Sequence, residues 1–201
     1  MVPTEPLANG PPDAALGRLL LALARHAIAR ELGLADPPPN LGTPPPRALE
    51  KPAATFVTLT RDGRLRGCIG TLEARRPLGE DVAANARAAA FRDPRFAPVS
   101  VEEWPLLDLE VSLLQTPRPL AAASEADALA ALVPGEDGLI LRHGAHCATF
   151  LPQVWEALPE PSRFLAELKA KAGLPRDFWS PQVELATYRV HKWHQNRGER
   201  P

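Results

Sequence analysis

A lone cysteine flanked by glycines is the feature of this sequence best suited to chemistry. Residues 65–70 read LRGCIG, with Cys68 near their centre. The preceding run, 55–61, has the residue types of a β-strand, and Asp62-Gly63 is typical of a two-residue hairpin turn. The pattern therefore predicts a β-hairpin whose second strand carries Cys68.

The predicted register of this hairpin gives Cys68 a charged neighbour. Val57 lies opposite Cys68 in that register, and Arg66 shares a face with Cys68 because it is two residues away. A guanidinium that close favours the thiolate of a cysteine, whose ordinary pKa is about 8.5. The arrangement suits a reactive thiol or an anion-binding site. The alternative is that Cys68 is a small core residue, since free cysteines are often buried.

Gly67 and Gly70 also have two explanations. They expose bare backbone beside the thiol, where a ligand could approach closely. They are equally typical of a β-bulge, where they would relieve crowding. The residues alone leave both explanations open.

Further motifs accompany LRGCIG in a fixed order. They are DPRF at 93–96, EVS at 110–112, LPQVW at 151–155 and KAGLP at 171–175. With these motifs the chain closely resembles the AMMECR-one family, in its bacterial form AmmeMemoRadiSam system protein A. The resemblance runs from about Leu16 to Tyr188, which is nearly the whole chain.

The resemblance implies a fold and a pathway. The fold is α+β, a mostly antiparallel sheet flanked by helices, in which a larger subdomain with both termini carries a smaller inserted one. The LRGCIG strand would face a cleft between the two. The expected partners are a MEMO-type protein and a radical SAM protein, in a pathway that modifies RNA or a small molecule. The resemblance implies no established reaction and no cofactor.

The family pattern also suggests site residues. The EVS segment lies near the cysteine strand in the resembled family, so Glu110 is the candidate carboxylate beside Cys68 and Arg66. It would either pair structurally with Arg66 or take part in acid–base chemistry. The catalytic candidates are Cys68, Arg66 and Glu110, and the candidates for a ligand-binding cleft are Gly67, Gly70, Asp93, Arg95 and Ser112.

The DPRF loop has two interpretations of its own. It follows a predicted helix, where an arginine commonly meets exposed carbonyl groups. Arg95 could instead bind an anionic group in the cleft, because arginine makes bidentate contacts with carboxylates and phosphates.

Two hypotheses for function follow. In the first, the chain is an enzyme whose Cys68 thiolate is the nucleophile, with Arg66 lowering its pKa and Glu110 orienting substrate or relaying a proton. In the second, it is a non-catalytic binding component that holds an anionic ligand or a partner segment, with Arg66 and Arg95 supplying the charge. RNA binding is a third candidate, which the charge balance disfavours.

The amino-acid composition bears on these hypotheses for function. The 201 residues carry 23 basic and 24 acidic side chains, a net charge of -1, so no overall positive field attracts a nucleic acid. The two cysteines are far apart in the sequence and form no Cys-x-x-Cys pattern, so no disulfide framework is indicated. This cysteine usage fits a reducing cytoplasm. The N-terminal residues lack the pattern of a signal peptide, and no apolar run is long enough to span a bilayer. We expect a cytoplasmic protein that does not enter membranes.

Two pairs of histidines could provide ligands for a metal ion. His143 and His146 should face each other across a tight turn, and His191 and His194 form a second pair. A hairpin tip is usually solvated, and strand spacing would put His191 and His194 on opposite faces. We therefore expect no metal site, and we expect Cys147 to be structural.

The remaining elements are predicted from periodicity and capping. Asp13 should cap a first helix that ends near Glu31, and Leu107 to Gln115 should be a strand with its leucines and valine inward. Gln182 to Lys192 alternates as a final strand. A capping-box pattern at residues 100–103 predicts a short helix. The expected organisation is an extended or disordered N-terminus over 1–13, one domain over 14–192 and a flexible tail over 193–201.

Overall fold

The computed structural model describes residues 13–43 and 45–198. They form two compact units. The first contains the described residues up to Leu114 together with those from His191, and the second contains residues 115–190. Antiparallel sheets flanked by helices make up the described residues, so the predicted α+β class is confirmed. The expectations for residues 1–12 and 199–201 lie outside the described residues.

The regular elements in chain order are four helices and nine strands within the described ranges. They are α1 (Ala14–Glu31), β1 (Pro52–Arg61), β2 (Arg64–Gly70), β3 (Arg76–Pro77), α2 (Leu78–Phe91), β4 (Asp108–Leu114), β5 (Arg118–Leu120), α3 (Glu125–Ala131), β6 (Gly138–His143), β7 (His146–Phe150), α4 (Pro161–Lys171), β8 (Glu184–Tyr188) and β9 (Val190–Gln195).

The sheet of the first unit has the strand order β2-β1-β4-β9, and β3 pairs with the start of β1. Its apolar face packs on α1 and α2 through fully buried side chains such as Val57, Leu59 and Val111. The predicted alternation of β4 is confirmed. Side chains at the intervening positions, among them Thr58 and Glu110, point to the opposite face and are half-buried.

Helix α1 begins where its capping residue indicates. The Asp13 carboxylate accepts a hydrogen bond from the backbone N–H of Ala15 at 2.8 Å, and Gly33 follows the helix with a φ of 73°. Gly17 lies directly under the indole of Trp193, and a Cβ at that position would collide with the ring. Trp193 therefore packs β9 closely on α1.

Three predictions from the sequence differ from the structure. The strand expected over Gln182 to Lys192 is two strands, β8 and β9, which belong to different sheets and are separated at Arg189. The flexible tail expected from residue 193 begins instead as ordered strand, because β9 continues to Gln195. The segment after Ser100 forms a turn and a short 3₁₀ helix, Trp104–Leu106, in place of the expected helix.

The second unit packs α3 and α4 on a sheet of order β5-β8-β6-β7. Trp155 of the LPQVW motif stacks on Phe164 at 3.8 Å between ring centroids, and its indole N–H donates to the Asp137 carbonyl at 2.7 Å. Lys169 is buried and binds the Glu125 carboxylate at 2.7 Å. The two contacts of Trp155 give the LPQVW motif a structural role in the core of this unit.

Among the described residues, no helix combines the length and the apolar character that crossing a bilayer requires.

Candidate functional site

The hairpin that carries Cys68 has a different register from the one predicted. Thr58, not Val57, lies opposite Cys68. The pairing then shifts by one residue toward the turn, which leaves Arg66 as the extra residue of a β-bulge. The predicted pairing of Val57 with Cys68 is therefore wrong, because the register was counted from the turn with a period of two that the bulge interrupts.

Both glycines of the motif are required by packing. A Cβ on Gly67 would collide with the carbonyl oxygen of Ala89, so the absence of a side chain lets α2 lie directly on β2. A Cβ on Gly70 would collide with the ring of Phe56. The protein itself fills the space beside these two glycines.

The DPRF loop binds the peptide groups of Cys68. The Cys68 N–H donates to Asp93 Oδ2 at 2.9 Å, and Arg95 Nη2 donates to the Cys68 carbonyl at 3.2 Å. Because β2 is the outermost strand of the sheet, these groups point away from β1. A carboxylate and a guanidinium thus supply the acceptor and the donor that a further strand would otherwise provide.

Asp93 and Arg95 are also bound to each other. The Arg95 backbone N–H and Nε donate to Asp93 Oδ1 at 3.1 and 2.9 Å, and Nη2 donates to Oδ2 at 2.7 Å. The hydrogen bonds from Arg95 hold the pKa of Asp93 well below its usual range, against the opposing effect of burial, and the Cys68 N–H adds to the lowering. The Asp93 carboxylate raises the pKa of Arg95 in turn. The pair is a fixed clamp on β2.

Asp93→Asn is expected to make the free energy of unfolding depend less on pH under acidic conditions. The unfolded carboxyl has a pKa of about 3.9 and the folded one a lower value, so its stabilisation is complete above that pH and is lost as the pH falls through the folded pKa. Asparagine keeps an acceptor for the Cys68 N–H but carries no charge. We expect it to cost about 2 kcal/mol at pH 7, with the difference from wild type shrinking below about pH 4.

The measurement is urea unfolding from pH 7 down to pH 2, with the exposed Asp177→Asn as the matched control. The control should follow the wild-type profile. A difference between Asp93→Asn and wild type that stayed constant over the whole range would contradict the assigned pKa shift.

Arg66 has a different carboxylate partner from the one expected. Its Nε and Nη2 donate to the two oxygens of Glu103 at 2.6 and 2.9 Å, and Nη2 also donates to the Ala97 carbonyl at 2.8 Å. Hydrogen bonds from Arg66 lower the pKa of Glu103. The expectation that Glu110 pairs with Arg66 is therefore wrong. Glu103 stands in the turn where the sequence predicts a helix start, and a capping box by itself explains an acidic residue at that position.

Glu110 lies two strands from Cys68. It is opposite Thr58 in the pairing of β1 with β4, and Thr58 is opposite Cys68. Its carboxylate oxygens lie 3.8 Å from Lys192 Nζ and 3.9 Å from His194 Nδ1. The Ser112 hydroxyl donates to it at 3.3 Å. The Lys192 ammonium group of β9 thus offsets the charge of Glu110.

Cys68, Thr58 and Glu110 form what we call the polar row, on the sheet face opposite α1 and α2. The Thr58 hydroxyl donates to Cys68 Sγ at 3.3 Å. The row places a thiol, a hydroxyl and a carboxylate on three neighbouring strands, and all three residues are partly exposed. It is equipped for hydrogen bonding with a bound segment or molecule.

A second polar cluster was missed from the sequence. Asp81 is 1% exposed and accepts hydrogen bonds from the Thr55 N–H at 3.0 Å, the Thr55 hydroxyl at 2.7 Å and Asn85 Nδ2 at 2.9 Å. Thr71 and Arg76 also donate to it, at 2.9 and 2.8 Å. The signal was available, since polar residues four apart on the buried face of an alanine-rich helix require partners.

The histidine pairs and Cys147 do not assemble a metal centre. Within residues 13–43 and 45–198, no group of three or more histidine, cysteine, aspartate or glutamate side chains could hold a metal ion. His143 faces His146 across the β6–β7 turn as predicted, and His146 Nδ1 lies 2.9 Å from the Ala172 carbonyl oxygen. Cys147 is exposed, because on β7 it alternates with the buried Ala148.

The protein has an α+β fold, and its LRGCIG hairpin is bound by the DPRF loop. Both features agree with the family that the sequence motifs resemble. The AMMECR1 family model matches residues 21–193, and the chain belongs to this family.

Similar proteins support this membership over most of the chain. A Methanothermobacter thermautotrophicus protein is 38% identical over 188 residues, which cover 90% of this chain and 94% of that protein. A Saccharolobus islandicus protein is 39% identical over 171 residues, covering 82% of this chain and 74% of its own length. The crystal structure of the uncharacterized protein PH0010 from Pyrococcus horikoshii matches with a TM-score of 0.75 and 34% identity, covering 91% of this chain and 93% of that one.

Proposed function

We propose that this chain is a non-catalytic binding component of a pathway that it shares with MEMO-type and radical SAM proteins. Within the family we infer the bacterial form, AmmeMemoRadiSam system protein A, from the motif resemblance. Both cysteines are free, which suits a reducing cytoplasm.

The charge pairing around Cys68 carries the proposal. A cysteine nucleophile is commonly activated by a base or a cation beside its sulfur. Here Arg66 is bound bidentately by Glu103, and Arg95 is bound by Asp93. Both guanidinium groups are thus already paired with carboxylates of this chain. This pairing supports hydrogen-bonded recognition of a partner segment over nucleophilic chemistry.

The polar row supplies the binding groups. Adjacent strands lie about 4.8 Å apart, so the row extends about 10 Å across the sheet. Because Lys192 and His194 lie close to Glu110, a bound segment meets nearly neutral, mixed donors and acceptors. Such a surface discriminates by hydrogen-bond geometry, since a partner that leaves these groups unpaired loses affinity.

A cysteine-dependent enzyme is the second candidate, and one contact favours it. The Thr58 hydroxyl donates to Cys68 Sγ, and a donor at sulfur stabilises a thiolate. In that function Cys68 would attack the substrate, and Glu110 would relay the proton.

The two candidates are separated by Cys68→Ser and Glu110→Gln, with the exposed Glu50→Gln as the matched control. Affinity for the purified MEMO-type and radical SAM proteins is measured by calorimetry, and the pathway product is measured in a complemented strain. We expect Glu110→Gln to weaken binding about tenfold, and Cys68→Ser and Glu50→Gln to retain both binding and product. Normal binding by Cys68→Ser with complete loss of product would establish the enzyme instead.

Alkylation of the two cysteines gives an independent measurement. Under the binding proposal, Cys68 reacts with iodoacetamide no faster than the exposed Cys147 at pH 7, as followed by peptide mass spectrometry. A rate at Cys68 tenfold or more above that at Cys147 would contradict the proposal.

A further inference from the structure

A groove between α1 and α2 lies away from the polar row, on the helical side of the first unit. Its volume is about 450 Å³, which is within the range of small-molecule pockets. Leu23, Ala27 and Ala83 line it with apolar surface. The two alanines are the reason for the depression, since their short side chains leave space between neighbouring helices.

A histidine held by a carboxylate also lines the groove. His26 Nδ1 lies 3.3 Å from Asp36 Oδ2, so the carboxylate fixes the orientation of the ring. Nε2 is then the ring nitrogen available to a bound molecule. Asp36 also lies 3.8 Å from Arg25 Nε, which places its charge between two basic side chains.

The charge at the groove is positive, although the whole chain carries a net charge of -1. Arg30 and Arg87 line the groove. Glu31 is the acidic lining residue, and its carboxylate is shared between Arg87 at 3.6 Å and Arg92 at 3.8 Å. The part of the chain that the structure describes provides no hydrogen bond or ion pair for the Arg30 guanidinium. The charged lining is therefore two arginines and one carboxylate.

We propose that this groove binds a small organic anion. Its carboxylate or phosphate group is held by Arg30 and Arg87, with His26 as a further polar contact, and its apolar body lies on Leu23 and Ala27. Arginine suits this role because its guanidinium donates two parallel hydrogen bonds to either oxyanion. The proposal is independent of the polar row and of any reaction at Cys68.

Phenyl phosphate is the probe that tests the proposal, measured by calorimetry and by amide chemical shifts in the full chain. We expect saturable binding with shifts at α1 and α2, weakened about tenfold by Arg30→Ala and by Arg87→Ala. Arg18→Ala is the matched control, since Arg18 is an exposed arginine of the same helix that does not line the groove. It should bind like wild type.

Three outcomes would overturn the proposal. The first is binding that does not saturate at phenyl phosphate concentrations up to 10 mM, which is about ten times the dissociation constant of a millimolar site. The second is an equal loss of affinity in Arg18→Ala and Arg30→Ala, which would indicate general charge attraction. The third is equal affinity for inorganic phosphate and phenyl phosphate, which would leave the apolar surface without a role.

Discussion

Asp81→Ala is expected to lower the free energy of unfolding by about 4 kcal/mol. Asp81 is almost fully buried, and its carboxylate accepts from the Thr55 N–H, the Thr55 hydroxyl and Asn85. Alanine would leave these donors buried without their acceptor, and each orphaned donor costs about 1–3 kcal/mol. Urea unfolding followed by tryptophan fluorescence and circular dichroism measures the change.

Glu80→Ala is the matched control for this variant. Glu80 precedes Asp81 in the first turn of α2 and has the same charge, but its side chain is exposed. Both substitutions remove one favourable interaction with the helix dipole, so their difference reports the buried network. We expect Glu80→Ala to cost about 0.5 kcal/mol or less. Similar losses in the two variants would show that the Asp81 network contributes little.

Gly67→Ala is expected to cost about 3 kcal/mol. The added Cβ would collide with the carbonyl oxygen of Ala89, which belongs to the backbone of α2 and cannot rotate away. Either α2 moves off β2 or the bulge at Arg66 rearranges. The free energy of unfolding should fall, and the amide resonances of α2 and β2 should shift together.

Gly79→Ala separates this collision from the general effect of replacing glycine. Gly79 lies in the first turn of α2, where a Cβ would make only ordinary contacts, the nearest at 3.8 Å to Leu49. Alanine is the better helix former, so we expect no loss of stability and a gain of up to about 1 kcal/mol. Equal losses at Gly67 and Gly79 would refute the packing explanation for Gly67.

The sequence predicted the elements whose determinants are local. The Asp62-Gly63 turn, the Asp13 cap of α1 and the alternation of β4 each depend on residues within one element, and the structure has all three. The resemblance supplied the α+β class, because several motifs in a fixed order characterise the whole family rather than one element.

Long-range partners were beyond sequence reasoning. Alternation predicts a face only while the period of two holds, and the bulge at Arg66 breaks that period. The choice of Glu103 over Glu110 as the partner of Arg66 depends on where a turn places a side chain in space. The Asp93 clamp on Cys68 likewise depends on the loop folding back to the sheet edge.

The break between β8 and β9 was missed for a similar reason. Residues 182–192 are nearly continuous in strand-forming residue types, and pattern alone contains no sign that the chain changes sheets at Arg189. The pairing partners, β6 for β8 and β4 for β9, are what separate the two strands.

The position of β9 has a consequence for the order of folding. Its neighbour β4 precedes the second unit in the chain, and β9 follows it. On the ribosome, the hairpin, α1 and α2 can therefore assemble early, but β4 remains an open edge until β9 is synthesised. Lys192 and His194 reach Glu110 only at that point. A nascent or C-terminally truncated chain would thus expose an aggregation-prone strand and lack the charge balance of its polar row.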